Sequence, residues 1–423
     1  MKKIFSAAII FIIANTAFAQ LPDDALRTAW FIPAGSARSM AIGGAMASLG
    51  GDISAANINP AGIGMYKTSE FVITPGFIHN NNEINFRGTG STLANNAFAY
   101  GTTGFVSGRL DAYNKGRSSA FSISITQLAS YNNHTYYKGL NNQSSYSEQY
   151  LEELTRDGAD TYAAESNYIF GSSLAYRTYL IDSVNLNGQL IGYKTLASIA
   201  TGLNQERDET TKGGYHELSL AFASNNNDQL YVGGSINVPI ISYTRDLFFK
   251  ESDATADPNN NFESSEYNEH FTSSGFGANL KLGLIYKPQK SIRLGLALHS
   301  PSFIAFKDRI RSSMITNTEA YAGLVSESSD NLNGGNPGER TYNMLTPWRA
   351  IISGSYVFGE AENTKRQKGF ITADIEYVAY GGARFFVSDQ ADVTGSNYYD
   401  ALNSTVKDYY KGNVNFRVGG ELK

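Results

Sequence analysis

The chain has 423 residues, of which 17% are charged and 13% are aromatic. An average soluble domain carries about 25% charged residues, so this surface is unusually poor in charge. The absence of cysteine excludes a disulfide scaffold, a thiolate metal site and a cysteine nucleophile. A net charge of -5 offers no basic surface for nucleic acid, and a 42% hydrophobic content is too high for a disordered chain.

Residues 1–19 have the features of a secretory signal peptide. Lys2 and Lys3 precede the apolar run Ile4–Ile13, and Ala17-Phe18-Ala19 forms a small-residue cleavage site before Gln20. The run is shorter than the ~20 residues that a membrane-spanning helix needs. No cysteine follows the site, which excludes a lipoprotein anchor. We therefore predict a bacterial envelope protein exported by a Sec-type route.

The body of the chain alternates with period two. In Gly275–Lys287, apolar side chains fall on one face of a strand and mostly polar ones on the other. The polar faces are rich in Gly, Ala, Ser and Asn with isolated charges, which suits a wet lumen. We predict an all-β fold, a transmembrane antiparallel β-barrel in the outer membrane, with a secreted β-sandwich as the alternative. Similar alternation occurs at residues 121–126, 217–222, 230–238, 291–298, 371–377 and 413–422.

Long polar connections alternate with short ones. Residues 131–165, 250–270 and 311–340 read as long loops, the first with a short helix at Ser147–Leu154. Residues 224–228 and 287–290 read as short turns. Outer-membrane barrels show this asymmetry, with long loops outside the cell and short turns in the periplasm.

Residues 20–66 do not alternate and are rich in small residues. They contain the stretch Gly35–Ala45, then Asp52, and then Asn59-Pro60-Ala61-Gly62 just before the first strand. Small residues allow a backbone to pack closely against other surfaces. We predict that residues 20–66 form a hatch that plugs the lumen of a barrel formed by residues 67–423.

These residues resemble the FadL/TodX family, whose members are outer-membrane transporters for long-chain fatty acids and other hydrophobic compounds. The Asn59–Gly62 block carries the resemblance, with support from Leu298-His299-Ser300-Pro301 and Leu345-Thr346-Pro347. The sequence of Ala37–Ala45 is similar to that of family members from the Bacteroidetes, some of which are labelled haemin receptors. The resemblance implies fourteen strands, a hatch with Asp52, Asn59, Pro60, Ala61 and Gly62 at its gate, and passive, ligand-gated uptake without enzymatic activity or cofactor. It also implies release after the hatch moves, with sideways exit through a defect in the wall as one route.

The chain ends at Glu421-Leu422-Lys423, without the terminal aromatic residue that the barrel-assembly machinery recognises. The resembled family has further strands after this point. We therefore expect fewer than fourteen strands here, with the last two to four missing.

Charges and aromatic residues supply the candidate ligand contacts. The inward cations Lys281, Arg293, Arg349 and Arg417 either hold a carboxylate headgroup or pair with Glu217, Asp374 and Glu376. Pairing is favoured because an unpaired buried charge is costly. The loop aromatics either capture a hydrophobic ligand or pack at the membrane interface. The predicted ligand-binding residues are Tyr131, Tyr136, Tyr137, Phe248, Phe249, Arg293 and Arg417.

The five histidines are scattered, so no metal site is predicted. The predicted function is uptake of a hydrophobic small molecule. The alternatives are a shuttle or interaction protein of a secretion system, a receptor for haem or another hydrophobic ligand, and an open porin. The expected partners are the ligand, outer-membrane lipid and the barrel-assembly machinery, with the chain as a monomer.

Overall fold

The computed structural model describes residues 22–114, 116–359 and 368–422. The predicted signal peptide lies outside these residues. The helices are α1 (Pro22–Arg27), α2 (Ala37–Ala41), α3 (Ala55–Ile58), α4 (Glu148–Arg156), α5 (Thr161–Ser166), α6 (Ser172–Arg177), α7 (Ser329–Leu332) and α8 (Val393–Tyr409), with 3-10 helices at Pro60–Met65 and Tyr380–Gly382. The strands are β1 (Glu70–Val72), β2 (Pro75–Phe86), β3 (Thr89–Tyr100), β4 (Thr103–Leu110), β5 (Ser118–Ser130), β6 (Asn133–Asn141), β7 (Ile181–Leu186), β8 (Gln189–Thr195), β9 (Leu203–Asn226), β10 (Leu230–Asp253), β11 (Ser264–Gln289), β12 (Ile292–His299), β13 (Phe303–Asn317), β14 (Leu324–Ser328), β15 (Gly338–Leu345), β16 (Arg349–Phe358), β17 (Gly369–Ala379), β18 (Arg384–Val387) and β19 (Gly412–Leu422).

The all-β prediction is confirmed: one large antiparallel sheet dominates the molecule. Its strands lie side by side in the order β1-β4-β5-β9-β10-β11-β12-β16-β17-β19, with β6, β13, β14, β15 and β18 attached beside this path. Two hairpins, β2–β3 and β7–β8, form small sheets of their own. Among the described residues, β1 pairs with β4 and β19 pairs with β17, and no pairing joins β1 to β19.

Alternation gives the sheet an apolar outer face. On β11, Phe276, Leu280 and Leu282 are exposed, whereas Asn279 and Lys281 between them are buried. From Phe276 to Tyr286, ten steps of ~3.4 Å at a ~40° tilt give a height of about 26 Å, close to the ~25 Å apolar band of outer-membrane barrels. We call the exposed apolar side chains of the wall the apolar belt: Phe105, Ile123, Phe222, Val232, Ile236, Ile240, Phe276, Leu280, Leu282, Leu284, Tyr286, Leu294, Leu296, Leu298, Phe303, Trp348, Ile352, Tyr356, Ile371, Ile375, Tyr377, Val414, Phe416 and Val418.

None of the helices in the described ranges is both long enough and apolar enough to cross a membrane.

Several strands continue well past the belt, so the predicted loop at residues 250–270 is mostly strand. β9 and β10 have 24 residues each and β11 has 26. They stay ordered because their inner faces bury Leu247, Phe249 and Tyr267 against a cap formed by α4, α5, α6 and β7–β8. The helix predicted at Ser147–Leu154 is α4, at Glu148–Arg156.

A buried carboxylate ties the cap to the long strands. Glu251 accepts hydrogen bonds from Ser145 Oγ at 2.7 Å, Tyr146 N at 2.7 Å and Gln205 Nε2 at 2.6 Å. Burial raises the pKa of Glu251 above its ordinary value, and these three hydrogen bonds act in the opposite direction.

Three neighbouring wall strands are interrupted at the same level. β12 gives way to β13 at residues 300–302, β15 to β16 at residues 346–348, and β17 to β18 at residues 380–383. The first two breaks contact each other, because Ser302 N donates to Thr346 Oγ1 at 2.8 Å and Thr346 N donates to Ser302 O at 3.0 Å. Pro301 and Pro347 lie in these breaks, where they have no N–H to contribute to a ladder.

The N-terminal segment, residues 22–66, lies on the inner face of the sheet. It touches strands along almost the whole path, from β4 at Gly108 to β19 at Gly419. The sheet therefore curves around this segment.

Candidate functional site

The block Asn59-Pro60-Ala61-Gly62 lies at the centre of the contact between segment and wall. The Asn59 side chain is fully buried and donates through Nδ2 to Ala47 O at 2.5 Å and to Leu284 O of β11 at 3.3 Å. Its Oδ1 accepts from Ala61 N at 3.2 Å and so caps the 3-10 helix that begins at Pro60. Proline suits this first helical position, where an N–H would have no partner in the helix.

Inward-facing glycines make room for this backbone. A Cβ added to Gly233 of β10 would lie 2.6 Å from the Pro60 carbonyl, and one on Gly295 of β12 would lie 2.5 Å from Ala47 O. A Cβ on Gly283 of β11 would collide with Asn59 Oδ1. The sequence shows glycine on the polar faces of the strands but does not by itself reveal this role. The signal was present, because each of these glycines falls on the inward phase of an alternating strand.

Polar groups of the wall hold the anchored part of the segment, which we define as residues 45–65. Asp374 of β17 accepts from Ala47 N at 3.2 Å, and Ser353 of β16 donates to Ser48 Oγ at 2.7 Å. Arg293 donates to Leu49 O at 2.5 Å, so this predicted ligand contact bonds to the segment instead. Because these bonds come from three different strands, the anchored part is fixed from several sides.

Asp52 acts within the segment. Ser36 Oγ donates to Asp52 Oδ2 at 2.6 Å, and Ser54 N donates to Asp52 Oδ1 at 2.8 Å. The carboxylate thereby joins the anchored part to the residues before α2.

The cavity part of the segment, which we define as residues 22–34, is held mainly by side chains. Tyr131 Oη donates to Arg27 O at 3.1 Å, and the Arg27 guanidinium lies 3.9 Å from the Tyr243 ring centroid. Phe31 packs edge-on against Tyr215 at 4.8 Å. Trp30 and Ile32 remain 66% and 62% exposed, in contrast to the anchored part, where Ala47, Asn59 and Ile63 are at or near zero.

A cavity of about 100 Å³ lies between the cavity part and the wall. Its charged lining residues pair with one another. Lys281 contacts Glu217, and Glu376 accepts from Arg349 Nη1 at 3.3 Å and from Arg417 Nη2 at 2.5 Å. The arrangement agrees with the pairing alternative for these charges. The lining residues include Thr28, Ala29, Phe31, Ile32, Ile58, Tyr215, Glu217, Asn279, Lys281, His299, Ser300, Arg349, Glu376 and Arg417.

His299 connects this cavity to the anchored part. Its Nε2 lies 2.9 Å from Ile58 O, immediately before the Asn59 block. Both Ile58 and His299 line the cavity. In the sequence, His299 belongs both to the motif that resembles the family and to the five scattered histidines, and neither pattern places it in this cavity.

A second pocket of about 570 Å³ opens on the outer, apolar face of the wall. Most of its lining is apolar, including Phe222, Leu282 and Trp348. It shares with the inner cavity the residues Lys281, His299, Ser300 and Arg349. These four residues therefore separate the two spaces beside the break at residues 300–302.

The remaining predicted ligand contacts are dispersed. Tyr136 Oη donates to Glu206 at 3.0 Å, Tyr137 packs on Phe86, and Phe249 stacks on Tyr146 at 4.2 Å in the cap. Phe248 lies in a separate surface pocket with Asp246 and His270. The structure places Arg417 on the cavity and Tyr131 beside the cavity part, and it does not gather the others with them.

Within residues 22–114, 116–359 and 368–422, no group of three or more His, Asp or Glu side chains is arranged to hold a metal ion.

No protein-family model and no curated protein matches the chain. Solved structures do match. Among them are a toluene transporter, a hydrocarbon channel and a FadL homologue. The Ralstonia pickettii toluene transporter TbuX is 14% identical, with 92% of this chain and 83% of that chain covered and a TM-score of 0.47. A deletion mutant of the monoaromatic hydrocarbon channel TodX is 12% identical, with 84% and 74% covered and a TM-score of 0.44. A Pseudomonas aeruginosa FadL homologue is 12% identical, with 93% and 97% covered and a TM-score of 0.31.

Proposed function

We propose that the chain is an outer-membrane transporter for hydrophobic compounds, with long-chain fatty acids as the substrate class. In this proposal the N-terminal segment is a hatch, and uptake is passive and gated by the ligand. The apolar belt supports placement in a membrane, because exposed apolar surface of this extent is costly in water. The toluene transporter and the hydrocarbon channel to which the chain is structurally similar carry hydrophobic molecules, which agrees with a hydrophobic substrate.

The observation that carries the proposal is the cavity between segment and wall. At about 100 Å³ it is smaller than the ~300–1,000 Å³ typical of ligand pockets. A long acyl chain therefore requires the cavity part to move. Within the cavity part, Trp30 and Ile32 lie open while Ala25, Thr28 and Ala29 are buried, so residues 30–34 are the portion freest to move.

The charges of the cavity favour an anionic end on the ligand. Lys281, Arg349 and Arg417 supply three positive charges, and Glu217 and Glu376 supply two negative ones. Two of the cations share Glu376. A carboxylate that entered here would balance the excess positive charge and accept charge-assisted hydrogen bonds.

The break in the wall supplies an exit in this proposal. Lys281, His299, Ser300 and Arg349 separate the cavity from the outer pocket. If these side chains moved aside, a ligand would leave sideways into the apolar phase around the belt.

Uptake by liposomes containing the purified protein tests the proposal, with oleate and toluene as substrates. We expect wild-type protein to admit both, and Arg417→Gln to slow oleate at least fivefold while leaving toluene within twofold. Arg109→Gln, which removes an exposed arginine outside the cavity, is the matched control and should change neither rate.

Two results would contradict the transporter. Free passage of small sugars through wild-type protein would favour an open porin. A stoichiometric protein partner recovered from outer membranes, together with no bound lipid on mass spectrometry, would favour the secretion-shuttle alternative.

A further inference from the structure

A short row of cations lies on the outer face of β13. Phe303, which belongs to the apolar belt, and Ala305 lie on the outward face of β13. Because side chains alternate along a strand, Lys307 and Arg309 lie on the same outward face. Phe303 is 50% exposed, and the side chains of Lys307 and Arg309 are 41% and 55% exposed. The outer face of this strand therefore changes from apolar to cationic within four residues.

The register fixes the height of this change. Ala305 lies opposite Phe276 of β11, the last belt residue of that strand, and Lys307 lies opposite Ser274. One outward step of two residues is ~6.8 Å along a strand. Lys307 and Arg309 thus stand directly above the apolar belt, at the level where lipid headgroups begin.

The neighbouring outward positions are hydroxyls and one carboxylate. Lys307 lies opposite Thr341 of β15, and Arg309 lies opposite Glu339. Glu339 accepts from Lys307 Nζ at 2.9 Å and from Arg309 Nε at 2.6 Å. One negative charge therefore faces two positive charges, and the group keeps an excess of +1 beside the hydroxyls of Ser274 and Thr341.

We propose that Lys307 and Arg309, with the hydroxyls of Ser274 and Thr341, bind the phosphate of a phosphorylated lipid in the outer leaflet. The cations supply charge-assisted donors. Ser274 Oγ donates to Lys307 O at 3.4 Å and Thr341 Oγ1 lies 2.8 Å from Ser388 Oγ, so each hydroxyl exchanges that contact for one to a phosphate oxygen. The belt immediately below holds the acyl chains of the same molecule, which commits the site to a lipid rather than to free phosphate. The inference rests on the membrane placement in the proposed function and not on the hatch or the cavity.

Native mass spectrometry of the full chain in a neutral detergent, titrated with lipid A, tests the site. A cation near an anionic surface contributes about fivefold to binding. We expect the double variant K307Q/R309Q to weaken lipid A binding at least tenfold. We expect Glu339→Gln to strengthen it about fivefold, because that change removes the competing carboxylate. Phosphatidylcholine, which has no net charge, should bind all forms alike.

Lys250→Gln is the matched control. Lys250 is an outward cation higher on β10, and it pairs one to one with Glu266 at 2.7 Å. Its variant should bind lipid A within twofold of wild type. Unchanged binding by K307Q/R309Q would overturn the site, and so would displacement of lipid A by equimolar inorganic phosphate.

The same variants distinguish failure of the lipid site from failure of the proposed transport function. Oleate uptake should be unchanged in K307Q/R309Q, since these residues lie outside the cavity. Lipid A binding by a protein that fails to transport oleate would remove the proposed function and leave the lipid site. The reverse result would remove the lipid site alone.

Discussion

The two parts of the N-terminal segment are held in different ways. The anchored part, residues 45–65, meets the wall through its backbone, which fits against glycines and makes hydrogen bonds at Ala47 and Leu49, and through the buried side chain of Asn59. The cavity part, residues 22–34, meets the wall through aromatic rings and through wall side chains that donate to its carbonyls at Arg27 and Ala29. Side chains can change rotamer without moving the backbone. A backbone that is closely packed against neighbouring strands cannot shift without steric overlap. In the proposed mechanism, residues 45–65 are the fixed base and residues 22–34 are the end that moves.

The strongest disruption should come from filling a glycine slot. In Gly233→Val, the new side chain would collide with the Pro60 carbonyl and displace the anchored part. We expect a loss of stability at or above the ~1–3 kcal/mol typical of overpacking. Thermal unfolding followed by gel mobility measures it, and liposomes should become leaky to small sugars.

Gly354→Val on β16 is the control for that change, because nothing lies within 4 Å of a Cβ added there. It should unfold at the wild-type temperature. Equal effects from the two variants would mean that the slots do not fix the segment.

Removing the Asn59 side chain should have the next largest effect. Asn59→Ala leaves Ala47 O, Leu284 O and Ala61 N without this partner in a buried site, at a cost of about 1–3 kcal/mol. We expect assembly to remain normal and uptake of a hydrophobic substrate to fall, because the base no longer holds its position.

Asn142→Ala, at an exposed loop position, is the matched change for Asn59→Ala and should leave uptake unaltered. If Asn59→Ala takes up oleate at the wild-type rate, the block is only a turn before the first strand.

The smallest effect on stability and uptake is expected from a change in the contacts of the cavity part. Tyr131→Phe removes the hydrogen bond to Arg27 O and keeps the ring, so it should cost about 0.5–1.5 kcal/mol locally. Because it loosens the end that must move, we expect oleate uptake to rise modestly with no change in unfolding temperature. Tyr162→Phe, on a residue that is 74% exposed, should do nothing to either. Slower uptake in Tyr131→Phe would assign this hydroxyl to the ligand instead.

Much of the wall was predictable, because alternation is a local property of the sequence. The segment Gly275–Lys287 indicated its strand, its outward apolar face and the inward position of Lys281. The cost of burying charge favoured pairing between the inward cations and the inward carboxylates as groups. Which residues pair was not predictable, and the structure joins Lys281 to Glu217, 64 positions away.

The rest depended on contacts that local patterns do not encode. Residues 250–270 read as a loop because their charges are typical of solvent, yet Leu247, Phe249 and Tyr267 bury one face against the cap. The cavity part gave no signal for its place beside Tyr215 and Arg349, which come from strands far along the chain. The predicted capture aromatics do not form one cluster, because Tyr137 packs on Phe86 of β2 and Phe249 stacks on Tyr146 in the cap.

The four residues that separate the cavity from the outer pocket have a thermodynamic consequence. An apolar molecule gains about 25 cal/mol for each Å² that it removes from water. Lys281, His299, Ser300 and Arg349 form the partition between the charged inner cavity and the mostly apolar outer pocket. The apolar part of a molecule that crossed this partition would enter the outer pocket directly, without first passing through bulk water. The direction of net movement would then be set by concentration on the two sides and by how fast the product is removed.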